Sequence, residues 1–217
     1  MKHELLSKNG NSNLTIFFAG WGMDNNPFTD YRSGKSDILI CFDYSNLHFK
    51  IELLDKYKNV RVVAWSLGVW VASALQAKHE QLRENAVAIN GTPFPVDEER
   101  GIPPSVFEGT LKGLSEKNLA RFNRRMCANS EKLAEYELVR PKRSIPSLST
   151  ELAFIGSAQK NIQIAAKFKR AYAGKLDAIF SCQNQINAWE SICPVEVLDV
   201  AHYDRTLLRN LICGEDL

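Results

Sequence analysis

A chain of 217 residues, 45% hydrophobic and 24% charged, fits one apolar core and excludes a disordered, fibrous or repeat-built protein. Its 27 Lys and Arg against 25 Asp and Glu leave a formal net charge of +2, too near neutrality to indicate nucleic-acid binding. The five cysteines, Cys41, Cys127, Cys182, Cys193 and Cys213, are odd in number and scattered, which argues against a disulfide framework or a metal site.

In chain order, residues 1–10 carry Lys2, Glu4 and Lys8 where a signal peptide needs an unbroken apolar stretch. His3 is expected in a frayed terminus. No later segment approaches a membrane span, so a cytoplasmic location without membrane association is expected. Apolar, β-branched or aromatic runs at 14–19, 38–42, 60–65 and 86–89, each bounded by turn residues, read as strands buried on both faces of a mostly parallel sheet. Residues 69–84 read as a helix, with Val69, Ala72, Leu75 and Leu82 as its apolar stripe and Lys78, Glu80, Gln81 and Arg83 as its polar face.

Pro93, Pro95, Pro103 and Pro104 then punctuate the entry to a charge-rich, helix-prone stretch over 105–138. It reads as a helical cap inserted at about 96–143. Strand patterns return near 169–174 and 194–200, and a helix follows over 205–212. The order β-β-α-β-α-β, then helical insertion, then β-α-β, predicts a doubly wound α/β sheet, and residues 1–217 are read as one domain carrying a lid.

Ser66 sits in Val62-Val63-Ala64-Trp65-Ser66-Leu67-Gly68, between a predicted strand and a predicted helix. That setting lifts a serine oxygen clear of a sheet. Small residues two positions before and after it, Ala64 and Gly68, allow strand and helix to pass closely, as in the nucleophile turn of α/β-hydrolases. An ordinary helix-capping serine would leave these flanks and Trp65 unexplained. In that fold the base comes last, and His202 follows the final strand run, while His3, His48 and His79 read as surface residues, His79 on the polar side of the helix after Ser66. Asp177, in Gly174-Lys175-Leu176-Asp177-Ala178-Ile179, falls where the orienting acid belongs; Asp199, three residues before His202, is its competitor. An ester attacked at Ser66 develops an oxyanion, for which the Leu67 N–H and the Gly20-Trp21-Gly22 loop are the candidate donors. The same Gly-Trp-Gly is alternatively a tight turn with a packed indole.

These residues, with Phe17-Phe18-Ala19-Gly20-Trp21-Gly22-Met23-Asp24, Ala64-Trp65-Ser66-Leu67-Gly68-Val69-Trp70, Ala88-Ile89-Asn90-Gly91-Thr92-Pro93, the Asp177-x-Ile179-Phe180 to Asn184-Gln185-x-x-Ala188-Trp189 stretch and Ala201-His202-Tyr203, resemble the pimeloyl-acyl-carrier-protein methyl ester esterases of biotin synthesis, particularly the small BioG-type branch. The resemblance implies an α/β-hydrolase fold and a serine carboxylesterase with Ser66 as nucleophile, Asp177 as acid, His202 as base, and Trp21 with Leu67 around the oxyanion. It departs from expectation at Ser181-Cys182, where prolines are expected and the loop after Asp177 is loosened, and in a brief cap. The substrate implied is a pimeloyl methyl ester on acyl carrier protein, hydrolysed to the free carboxylate and methanol without cofactor or metal. A monomer is expected.

Acyl carrier proteins are acidic, so a basic rim would aid docking. Arg121, Arg124 and Arg125, with Lys132, Arg140, Lys142 and Arg143, supply basic residues in and after the cap, although interspersed glutamates fit an ordinary solvated helix face equally well. A broad small-ester carboxylesterase and a non-catalytic hydrolase-like binding module are the rival readings.

Overall fold

Seven strands hydrogen-bond into one sheet in a computed structural model that describes residues 1–214. They are β1 (Lys2–Ser7), β2 (Asn13–Phe18), β3 (Asp37–Phe42), β4 (Asn59–Trp65), β5 (Ala86–Ile89), β6 (Arg170–Gly174) and β7 (Val195–Leu198). Their order is β1-β3-β2-β4-β5-β6-β7; β1 pairs antiparallel with β3, and the remaining pairings are parallel. The near-continuous apolar runs have a direct cause. Leu14, Ile16 and Phe18 of β2 join Val62 and Ala64 of β4 in the core on one face, while Phe17 and Ala19 join Val63 and Trp65 on the other. Strand side chains alternate, so a strand covered on both sides is apolar at nearly every position, and its buried polar exceptions are hydrogen-bonded, as Thr15 is to Ser36.

Helix α1 (Gly68–Gln76) and helix α6 (Cys182–Trp189) cover one face, and α7 (Arg205–Cys213) covers the other through Leu207, Leu208, Leu211 and Ile212. This is the α/β-hydrolase fold. All nine residues of α1 are buried, and the helix stops well short of the expected residue 84. Leu82, counted in its stripe, belongs to a separate turn of 3-10 helix, Glu80–Leu82, and the polar residues lie beyond α1. The chain returning toward β6 crosses α1, with Ala165 N–H donating to the Ser73 carbonyl and Lys167 N–H to Gln76 Oε1, both at 2.9 Å. That crossing removes any solvent face.

Between β5 and β6 the stretch expected as one helix-prone run contains three helices, α2 (Pro104–Lys112), α3 (Glu116–Met126) and α4 (Ser130–Val139), and a fourth, α5 (Ile145–Ala158), starts beyond residue 143. The breaks have local causes. Ser115 and Asn129 cap α3 and α4 by accepting from Asn118 N–H at 3.3 Å and Lys132 N–H at 2.9 Å, and Ser144 caps α5. The insertion is therefore longer than the brief cap expected from the sequence.

Two histidine readings change with the tertiary structure. His3 is not in a frayed end: it lies in β1 opposite Cys41, its ring edge-on to Phe49 at 5.2 Å. His79 lies past the end of α1 with its ring 6.1 Å from the same phenylalanine. Among the described residues no helix is long and apolar enough to cross a membrane.

The end of β5 leads into the closest backbone approach in the site. A Cβ at Gly91 would overlap the carbonyl oxygen of Ser66. Gly91→Ala is expected to cost about 3 kcal/mol, read as a lower urea midpoint at unchanged slope.

Candidate active site

The turn from β4 into α1 forces Ser66 to φ +58°, in the left-handed region that a side chain rarely adopts. Ser66 N–H donates to the Ile89 carbonyl at 3.0 Å, holding the turn against β5. At Gly68 a Cβ would collide with the carbonyl oxygens of Phe18 and Ala19, so only glycine lets α1 start this close to the end of β2. Ala64 is fully buried. The small flanks of Ser66 thus have a steric reason.

Three loops at the C-terminal end of the parallel strands bring Ser66, His202 and Asp177 together. His202 Nε2 lies 2.9 Å from Ser66 Oγ, and His202 Nδ1 lies 2.8 Å from Asp177 Oδ2, with the His202 and Asp177 side chains 1% and 0% exposed. A carboxylate at Nδ1 holds the proton there, which leaves Nε2 as the acceptor for the serine hydroxyl. Asp177 Oδ1 accepts the N–H groups of Ile179 at 2.8 Å and Phe180 at 2.9 Å, and Gln185 Nε2 donates to Oδ2 at 3.0 Å. Asp199 falls beyond β7, exposed, and makes no ion pair with His202.

The Ser181-Cys182 departure does not loosen the turn after Asp177. Ser181 caps α6 by accepting from Asn184 N–H at 3.1 Å, and the Asp177 carboxylate ties down the two preceding peptides. Proline is one way to stiffen a turn; these bonds are another.

Asn90 and Gln185 are site residues to which the sequence reading assigned no role. Asn90, at φ +46°, donates through Nδ2 to the carbonyls of Ala201 at 2.8 Å and His202 at 3.0 Å, and its Oδ1 accepts from Gly174 N–H at 2.7 Å. It thereby joins the ends of β5 and β6 to the histidine loop. Trp65 Nε1 also donates to the His202 carbonyl at 2.9 Å, and Phe180 stacks on the imidazole. The Asn90-Gly91-Thr92-Pro93 motif was the available signal for Asn90, and the Asn184-Gln185-x-x-Ala188-Trp189 stretch was the one for Gln185.

Ser66 and His202 open into a pocket walled largely by Trp21, Ile102, Val106, Phe107, Phe122, Leu152 and Ile179. Apolar walls strengthen any electrostatic interaction within it. Leu67 directly follows the serine, and Gly20 and Trp21 border the same pocket. Trp21 packs edge-on to Phe122 at 5.2 Å, and its Nε1 donates to the Leu148 carbonyl at 2.9 Å.

Arg121, Arg124 and Arg125 are exposed on α3. Arg121 and Arg125 border a depression that shares Trp21, Val106, Thr110 and Phe122 with the Ser66 pocket, and Arg125 also donates to the Ala178 carbonyl at 2.6 Å. Arg143 leaves the expected basic rim: it is 7% exposed and paired with Asp43 and Glu151. Burial pushes the Glu151 carboxyl up from its ordinary range, against the pull of Arg143 and of the Tyr44 and Gly22 N–H groups. Lys132 and Arg140 pair with Glu135 and Glu137.

A family model described as pimeloyl-ACP methyl esterase BioG matches residues 1–210. The crystal structure of BioG from Haemophilus influenzae superposes with a TM-score of 0.85 at 30% identity, over 95% of this chain and 96% of that one. A malonyl-[acyl-carrier protein] O-methyltransferase of Bacteroides fragilis is 41% identical over 196 residues, which are 89% of this chain. The chain spans 40% of that relative's length. An enol-lactonase of Burkholderia xenovorans shares the fold, with a TM-score of 0.60 at 16% identity over 93% of this chain and 88% of that one.

The geometry makes one substitution decisive. An amide at position 177 would face His202 Nδ1 with a donor and favour the wrong tautomer. Asp177→Asn is expected to lower ester turnover on the order of 10⁴-fold with the thermal midpoint retained; a folded variant at the wild-type rate would remove Asp177 from its role.

Proposed function

The chain belongs to the pimeloyl-ACP methyl esterase BioG family, and we propose that it hydrolyses the methyl ester of pimeloyl-acyl-carrier protein, releasing methanol and leaving the ω-carboxylate on the carrier. The observation that carries this reading is the 2.9 Å contact between Ser66 Oγ and His202 Nε2 at an apolar pocket. Ser66 attacks the ester carbonyl while Nε2 takes its proton, giving a tetrahedral oxyanion that the Leu67 and Trp21 N–H groups receive. His202 returns the proton to the departing methoxide and methanol leaves. Water then loses a proton to His202 as it attacks the acyl-enzyme, and collapse of the second oxyanion frees Ser66 Oγ, which regains the proton. Asp177 orients His202 and stabilises its imidazolium in each half-reaction.

The substrate carries a second reactive carbonyl, the thioester to the carrier, which must survive. Selectivity then depends on depth: the pocket beneath α2, α3 and α5 admits the methyl ester to Ser66 while the pantetheine arm stays outside. The Arg121-lined depression at its mouth suits an acidic carrier. The methyltransferase named among the relatives adds a methyl group to a carrier-bound acid; the reaction proposed here removes one.

The test compares carrier-bound pimeloyl methyl ester with a short free methyl ester, using wild type, Ser66→Ala and an Arg121→Glu/Arg124→Glu double variant. Ser66→Ala is expected to abolish turnover of both. The double reversal is expected to lower kcat/KM about 10-fold or more for the carrier-bound ester alone, most strongly at low salt. Equal loss on both esters would remove carrier docking from these arginines, and equal kcat/KM of the wild type for both esters would favour a broad carboxylesterase.

A further inference from the structure

Away from Ser66, His202 and Asp177, the fold buries a second group of charges. The Glu151 side chain of α5 is 0% exposed and pairs with Arg143, whose Nη2 in turn pairs with Asp43 at 3.0 Å and donates to Ser147 Oγ at 2.7 Å. Lys2 completes the set from β1, 3.1 Å from Asp43. A buried ion pair is often no more stabilising than apolar residues of the same volume, so its placement is informative.

Its placement is against the loop after β2. Glu151 Oε2 accepts the N–H of Gly22 at 3.2 Å, and Oε1 accepts the N–H of Tyr44 at 2.9 Å. Tyr44, for its part, has its hydroxyl 2.9 Å from the Ala19 carbonyl. Near Glu151 on α5, the Leu148 carbonyl accepts from Trp21 Nε1, and Arg143 Nη1 reaches the Met23 carbonyl at 3.4 Å. Three consecutive residues of this loop, Trp21, Gly22 and Met23, are thus gripped from the helical insertion. Gly22 stands at φ +79°, a conformation that needs an external hold to stay defined.

We propose that Glu151, with Arg143, is a positioning residue for the oxyanion loop. Its carboxylate fixes the Gly22 peptide and so aims the adjacent Trp21 N–H at the ester oxygen. The inference rests on the ester hydrolysis at Ser66 proposed above. An oxyanion exists only in the tetrahedral states, so loss of this hold raises the barrier while leaving ground-state binding nearly unchanged.

The test measures hydrolysis of a short p-nitrophenyl ester by wild type, Ser66→Ala, Glu151→Gln, and an Arg143→Met/Glu151→Leu pair that removes both charges without orphaning either. Both Glu151 variants are expected to lose about 10- to 100-fold in kcat, with KM within about twofold. Inhibition by a trifluoromethyl ketone, whose adduct with serine carries the oxyanion, is expected to weaken by the same factor as kcat/KM. Wild-type kcat in either variant, shown folded by its thermal midpoint, would overturn the proposal, as would a loss confined to KM. Failure of both variants to fold would also overturn it, because the cluster would then hold the domain and not the loop. A Ser66→Ala protein as active as wild type would bring down the Ser66 reading and this inference with it. A Ser66-dependent esterase indifferent to Glu151 would bring down the inference alone.

Discussion

The turn at Ser66 is the constraint on which the remaining structure depends. A left-handed φ at a residue with a side chain costs on the order of 1 kcal/mol or more, so surrounding structure must enforce it. Three neighbours do so. Gly68 presses α1 onto the Phe18 and Ala19 carbonyls, Ile89 accepts the Ser66 N–H, and Gly91 passes against the Ser66 carbonyl. Each contact comes from the C-terminal end of a central parallel strand, where loops from adjacent strands converge. The result is a hydroxyl raised above the sheet edge with no freedom to sink back.

The partners of Ser66 are held by the same ends of the strands. Asn90 bonds to the carbonyls of Ala201 and His202 and to Gly174 N–H, so one buried side chain sets the distance between the β5, β6 and histidine loops. Asp177 accepts four donors, from Ile179, Phe180, Gln185 and His202, which saturates its lone pairs and leaves one orientation. Those hydrogen bonds take the place of the water that burial removes from the carboxylate. Ser66, His202 and Asp177 are thus held already oriented toward one another.

The helical insertion covers the site and also holds one of its loops. It contributes Phe107, Phe122 and Leu152 to the pocket and grips the loop that carries Trp21. The cap and the loop that carries Trp21 are consequently one packed unit. The basic side chains divide by the same logic: Arg143 turns inward to a charge cluster, whereas Arg121 and Arg124 remain in solvent. Composition treats these arginines as equals. Burial does not.

Strand runs, the small residues flanking Ser66, and the motifs of the family were local patterns, and local patterns are legible in a sequence because steric and periodic rules act within a few residues. They determined the doubly wound sheet, the family, and the position of the Ser66 turn. Other features depended on residues far apart in the chain. Strand β1 leaves no local pattern because an antiparallel edge strand pairs with β3 through backbone groups, and α1 ends before its periodicity predicts because the segment that buries its outer face lies some 90 residues later. Three breaks in the insertion rested on caps at Ser115, Asn129 and Ser144, single residues that propensity averages conceal. Asn90, Gln185 and Glu151 acquired partners only when the loops met. Tertiary structure decided them because a hydrogen bond or a buried charge is defined by what lies across from it, and no spacing along the chain records that.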